Sequence, residues 1–518
     1  MSALLDSVIK VSSGFQTAVN LKANINDDLK VSAYIPTRIA SDILNDLASN
    51  FHTTSTRRSR LITGTYGTGK SHLALIIARI FRDGTEHPSL LPVMEKLKKW
   101  PDVLNNLKKE RSFRKGKYLL VTLLGDQGDF KDELLRELDK ALLNEGLSDI
   151  FPDTAFAAAG RRINEIRQKY PTHYLQLEKI VIDHGFVSID ALELKLGNKE
   201  IKSYDKFLDI HEELFAGAKF DKNHNMKPEE VYKEVSRRLV NDKKYAGIAV
   251  IWDEFGRYLE RIVEEPHGKE GEAIQNFADG CCNLQGDAQV HLYLLCHRTL
   301  KEYSTINAIK LRSNISKYEM DEWKKIEGRF TPFAVKTTSH EIFNLIDNVI
   351  VQDFENPAWK SFTNSSKDYF DEETEKAAVH HIFPEFNRNE IHNIVTLGCY
   401  PLHPMAAFCL TLISQKVGQD NRTLFTFLSD SGKDTFGPFL HTNLIPKPGA
   451  PPPFLSADML WDYFAVDVEK DPIYKKIFSR FMQADVRINP DNKLEKRIIK
   501  IIALLQIITS GESAESGR

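Results

Sequence analysis

Cysteine is scarce in this chain, with five among 518 residues: Cys281, Cys282, Cys296, Cys399 and Cys409. None stands at a metal-ligand spacing, and the adjacent pair Cys281 and Cys282 cannot readily close on itself, so neither a zinc site nor a disulfide framework is expected. They read as reduced thiols in a cytoplasmic setting. A dominant charge is lacking as well, since 69 Lys and Arg face 72 Asp and Glu for a net charge of −3. That balance gives the whole molecule no field strong enough to draw nucleic acid or a membrane surface, and any such partner has to be met by a local patch. Long apolar runs are missing. The longest candidate, 498–508, is interrupted by Lys500 and Gln506 and falls short of the roughly 18 residues of a spanning helix. The first ten residues have no basic start followed by an apolar stretch, so neither a secretion signal nor a membrane partner is expected. Internal repeats, a local Ser/His/Asp signature and the Asn-Lys-x-Asp element of guanine recognition are also absent.

What is present begins at Gly64-Thr65-Tyr66-Gly67-Thr68-Gly69-Lys70-Ser71, which follows the apolar pair Leu61-Ile62 and opens the helical pattern Leu73 to Ala78. Strand, glycine-rich loop and helix in this order make a phosphate-binding loop. The glycines let the backbone curl so that N–H groups meet phosphate oxygens, Lys70 adds a positive charge, and Ser71 offers a hydroxyl to Mg²⁺. The expected ligands are therefore ATP and Mg²⁺.

A second element closes the site. The apolar run 247–252 delivers Asp253-Glu254 at its carboxyl end, where the aspartate suits the Mg²⁺ shell and the glutamate suits the attacking water. The run 290–296 ends at Cys296-His297-Arg298-Thr299, so His297 or Thr299 is a candidate contact to the γ-phosphate. Glu327-Gly328-Arg329-Phe330 places an arginine just before another strand, either as a finger reaching the nucleotide of a neighbouring subunit or as half of a surface salt bridge. Arg422, in Gly418-Gln419-Asp420-Asn421-Arg422, stands in the first turn of a helix, either closing onto the γ-phosphate or tying two helices together. Between Lys96 and Lys117 nine Lys and Arg face two acids, with Trp100 and Phe113 interleaved. This is the best local candidate for double-stranded DNA, against the ordinary reading of a solvated face.

With 42% hydrophobic residues the chain is large enough for two to four domains. Residues 1–50 read as a lead-in, with a short strand at Val31 to Ile35 and a helix capped by Thr37. Residues 51–338 carry strands at 118–124, 247–252, 290–296 and 331–335 alternating with helices, which predicts an α/β, doubly wound, largely parallel sheet. Residues from about 145 to 240 are polar and helical, and are expected to form an insertion apart from the sheet. A helical lid over 339–444, a proline-rich linker at 445–455 and a helical region over 456–518 with a disordered tail complete the expectation.

The combination of Gly64 to Ser71, Trp252-Asp253-Glu254-Phe255-Gly256, Glu327 to Phe330 and Gly418 to Arg422 resembles AAA+ P-loop ATPases. More narrowly, it is similar to the large ATPases of BREX-type bacterial anti-phage defence islands. The resemblance covers about residues 30–430 and implies ATP turnover in a homo-oligomer acting on DNA or on DNA-modifying partners. It further implies that the helix at Lys496 to Leu505 opens a winged-helix domain and that the chain is a fragment of a longer protein. Two readings stay open: an ATP-driven motor or loader on DNA, and a nucleotide-dependent switch that recruits a nuclease or methyltransferase and hydrolyses slowly.

Overall fold

The computed structural model describes residues 4–12, 19–65, 67–114, 116–125, 128–150, 155–198, 200–220, 227–241, 245–264, 270–299, 302–303, 324–335, 338–417, 421–430, 432 and 434–510. Tyr66, Gly418 to Asp420 and the tail 511–518 lie outside them. Seven strands occur among the described residues: β1 (Ile9–Val11), β2 (Ser59–Thr63), β3 (Lys117–Leu124), β4 (Tyr245–Asp253), β5 (Gln289–Cys296), β6 (Thr331–Ala334) and β7 (Ile350–Gln352).

Five of them form one sheet in the order β3-β4-β5-β2-β6, each pair parallel. All of β2, β4 and β5 is buried, as strands with helices on both faces must be. Alternation then sorts the side chains. Leu61, Val121, Val250 and Leu292 pack with the helices Phe130–Asn144 and Glu270–Phe277, while Ile62, Tyr118, Ile251 and Tyr293 pack with Arg38–Ser49 and Lys70–Asp83. The protein is thus α/β with a parallel sheet, as the run of apolar segments predicts.

Three local expectations are corrected. Val31 to Ile35 is not a strand, because Asp27 accepts a hydrogen bond from the Lys30 backbone N–H at 3.1 Å and starts the helix Asp28–Ser32. The alternation of polar and apolar residues over five positions imitates a strand, and the cap decides against it. The insertion is also shorter than 145–240. Helices Ala155–Lys169, Pro171–Asp183, Ile189–Gly197 and Ile201–Leu214 enclose their own core around Ile163, Val181, Leu192 and Phe207. The helix Pro228–Asn241, however, lies on the main sheet. Its Val231, Val235 and Leu239 recur at a spacing of four on one helical face, and Ser236 Oγ donates to Gln289 O at 2.9 Å.

The third correction concerns the ends of the chain. Leu5, Val8 and Ile9 share one core with Phe343, Leu410, Trp461 and Leu504, and β1 pairs antiparallel with β7. Residues 339–444 and the helices Ala457–Lys470, Lys475–Asp485 and Lys493–Thr509 therefore make one helical unit. The proline-rich stretch is stitched into it, for Leu455 N donates to Pro401 O at 2.8 Å and His403 N to Leu455 O at 3.0 Å.

Candidate nucleotide site

The site forms where β2, β4 and β5 end. β2 runs into Gly64, which lies so close to the next strand's exit that a Cβ there would stand 2.5 Å from Val335 O. Gly67 and Gly69 hold φ of +81° and +82°, the left-handed region that glycine enters without steric cost. Gly69 immediately precedes the helix Lys70–Asp83, so the loop is closed by a helix N-terminus with its unpaired N–H groups and partial positive charge. Thr68 Oγ1 braces the turn by donating to Thr65 O at 2.9 Å.

Lys70 folds back over this loop. Its Nζ donates to Gly64 O at 2.5 Å and Thr65 O at 2.7 Å. Burial pushes its pKa down to about 8, against the opposing pull of Asp253. The Ser71 hydroxyl stands close enough to the Asp253 carboxylate to lower its pKa, and that carboxylate accepts from Glu254 N at 2.9 Å. Burial raises the Asp253 carboxyl above its ordinary value in spite of these bonds and of the Lys70 charge. A half-buried ammonium, a hydroxyl and a carboxylate thus meet at the mouth of a helix N-terminus. Hydroxyl and carboxylate oxygens are the donor set that Mg²⁺ takes, and the lysine with the helix end suits phosphate. The residues fit MgATP.

Glu254 has φ +54°. The other described non-glycine residues with positive φ, Ala216 and His381, follow the ends of helices 201–214 and 367–379, an ordinary place for that conformation. Glu254 instead joins β4 to the helix Phe255–Glu264, so the strained residue is the one expected to orient water. Its Oε2 is ion-paired with Arg257 Nε at 3.1 Å.

His297 stands at the end of β5, close enough for the Lys70 charge to act on it. Its Nε2 lies 3.2 Å from Glu260 Oε1 and its Nδ1 3.0 Å from the Tyr303 hydroxyl. Burial lowers its pKa against the pull of Glu260, and both nitrogens have protein partners. Gly256 makes this cluster possible, since a Cβ there would fall 2.0 Å from the Tyr303 oxygen and 2.8 Å from His297 Nδ1. Thr299 caps the next turn, donating to Glu302 Oε2 at 2.9 Å and accepting from Glu302 N at 3.2 Å.

Arg329 stands apart from this cluster. Arg60 pairs with Thr331 and Thr63 with Ala334, so Arg329, just ahead of β6, lies at the opposite end of the sheet from its own loop. There it is ion-paired with Asp279 at 3.1 Å, and Asn283 Nδ2 donates to its carbonyl at 3.0 Å. Arg422 is the second residue of the helix Asn421–Ser429, and its side chain lies outside the described residues.

Much of the basic segment is internal. Arg111 donates to the carbonyls of Ile80, Phe81, Arg114 and Gly116 at 2.7–3.0 Å. Arg114 binds Asp287 and Ala246 O, Lys96 binds Tyr34 O, and Lys117 pairs with Glu145. Lys98, Lys99 and Lys109 remain exposed. Arg257, Glu260 and Tyr303 are the site residues the sequence reading passed over. Gly256, the second residue after the acidic pair, is the sequence signal for a close approach there. No family model, curated protein or solved structure matches this chain.

Proposed function

We propose that the chain is an ATPase of the AAA+ type, binding MgATP between the Gly64–Ser71 loop and Asp253 and hydrolysing its γ-phosphate. The observation that carries this reading is the convergence of Lys70, Ser71 and Asp253. Lys70 and the helix N-terminus would hold the phosphates, and Ser71 with Asp253 the Mg²⁺, which offsets the charge of the polyphosphate. In the reaction a water oxygen bonds to the γ-phosphorus as the bridging bond to ADP breaks. The water proton passes to the Glu254 carboxylate and from there to solvent.

The resemblance to the ATPases of BREX-type defence islands supports a role in anti-phage defence, in which a homo-oligomer couples turnover to action on DNA or on a DNA-modifying partner. The position of Arg329, far from its own loop and half-exposed, suits service to a neighbouring subunit. The second reading is a slow switch that recruits a nuclease or methyltransferase, and the ion pairing of Glu254 with Arg257 favours it. A steady-state ATPase assay with and without double-stranded DNA separates the two. Stimulation of several-fold supports the motor, and turnover indifferent to DNA supports the switch. Absence of MgATP binding and turnover overturns both.

A further inference from the structure

Two consecutive acids end β4, and the sheet order sends them in opposite directions. Asp253 meets Ser71, whose loop follows β2, so it faces across β5. Glu254 faces the other neighbour. A Cβ built on Gly125, where β3 ends, would stand 4.0 Å from Glu254 Oε2 and 3.8 Å from Arg257 Cδ. Because β3 lies on the far side of β4 from β2, the Glu254 carboxylate points away from the phosphate-binding loop.

Three features hold it there. The left-handed backbone at Glu254 turns the chain so that Arg257 N donates to Glu254 O at 3.0 Å, which brings the arginine back over the glutamate. The Arg257 Nε then pairs with Oε2 at 3.1 Å. The wall behind the pair is fixed, for Gly125 N donates to Asp253 O at 2.9 Å and Trp252 Nε1 donates to Gly125 O at 2.8 Å. The pair itself is half-exposed, with side chains 59% and 36% accessible, so it can open without a large rearrangement.

We propose that Arg257 is a positioning residue that holds the Glu254 carboxylate on the β3 side of β4 and so restrains ATP hydrolysis. This rests on the ATPase reading above. Turnover then requires the ion pair to break and the carboxylate to swing toward β5, and the fraction of time it does so limits kcat. Nucleotide binding, which uses the loop, Ser71 and Asp253, is untouched.

The test is steady-state ATP hydrolysis together with equilibrium titration of a fluorescent ATP analogue, on the wild-type chain, Arg257→Ala, Arg257→Gln and Arg257→Lys. Loss of the restraint in the first two variants should raise kcat about two- to five-fold, the range in which half-exposed ion pairs shift an equilibrium. KM and analogue affinity should stay within two-fold, and Arg257→Lys should behave as wild type. The gain should vanish when Arg257→Ala is combined with Glu254→Gln. An unchanged or lower kcat in both Arg257→Ala and Arg257→Gln, with analogue affinity intact, overturns the proposal and leaves the ATPase reading standing. So does a gain that survives in the Glu254→Gln background. If the wild-type chain fails to bind the analogue at all, the ATPase reading fails, and this restraint with it.

Discussion

The Ser71 hydroxyl stands close enough to the Asp253 carboxylate to lower its pKa, relating the loop that follows β2 to the end of β4 across the intervening strand β5. It brings a hydroxyl and a carboxylate together at the carboxyl end of the sheet, where the proposed Mg²⁺ would be held. Asp253→Asn keeps the shape and removes the charge. MgATP affinity should fall to that of ATP alone, and turnover should drop by about 10²-fold or more, as loss of the ion's charge stabilisation implies. Titrating the nucleotide with and without Mg²⁺ reads the effect, and a variant that keeps its Mg²⁺ dependence would move the metal site elsewhere.

Lys70 gives a pH dependence with a definite sign. Burial holds its folded-state pKa at about 8, below the ordinary 10.5, so the free site loses its ammonium as pH rises through 8. A bound phosphate restores the proton. Binding therefore takes up a proton above pH 8, and affinity should weaken by as much as about tenfold per pH unit toward 10.5. The fold without nucleotide runs the other way: its stability rises over the same window, because the unfolded chain holds more protons there. Calorimetric titration at pH 7, 8 and 9 checks the first effect, and Lys70→Ala should abolish both it and measurable binding.

Arg329 tests the oligomer. Supplied to a neighbouring subunit, it should leave ATP affinity nearly intact on replacement by alanine while turnover falls by about 10³-fold or more. Mixing Arg329→Ala subunits with Glu254→Gln subunits rebuilds some interfaces with both groups intact, so part of the activity should return. Mixed oligomers with no recovery would leave Arg329 as the surface partner of Asp279.

Arg111 separates structure from nucleic-acid binding within the basic segment. Its replacement by alanine strands four carbonyls in the interior and should destabilise the fold by about 3 kcal/mol or more. Charge reversal at the exposed Lys98 and Lys109 should leave stability within about 0.5 kcal/mol. If the segment meets DNA, that reversal weakens binding and flattens its salt dependence. Urea denaturation and a DNA titration at two salt concentrations measure the pair of effects.

The strands of the main sheet were legible because a parallel strand covered on both faces must be a continuous apolar run, as Ile248 to Trp252 is. β1 and β7 are three residues long, and no periodicity can build up over that length. The helix Pro228–Asn241 was assigned to the insertion because its stripe of Val231, Val235 and Leu239 says that it packs, but not against what. The loop, Lys70, Ser71, Asp253 and Glu254 are local in sequence or follow one strand, and were read directly. The partners of His297 and Glu254 were not, since Glu260, Tyr303 and Arg257 are set by a turn at Gly256 and by a backbone angle that no residue name records. Charge counting misled at 96–117, where a run of basic residues conceals Arg111 and Arg114 as internal ties.

The pairing of β1 with β7 makes the N-terminal strand part of the helical unit that otherwise begins at Ser339. The sheet domain is therefore spliced into the middle of that unit, and the chain passes between the two bodies twice, once between Val11 and Leu21 and once between Ala334 and Ser339. A joint with a single crossing swivels freely. Two crossings tie the bodies at two places in the chain. The bond from Arg38 N to Glu341 Oε1, 3.0 Å, adds a non-covalent tie between them. Removing the first dozen residues would take away one of the two crossings and the β1–β7 pairing while leaving Gly64 to Ser71 whole.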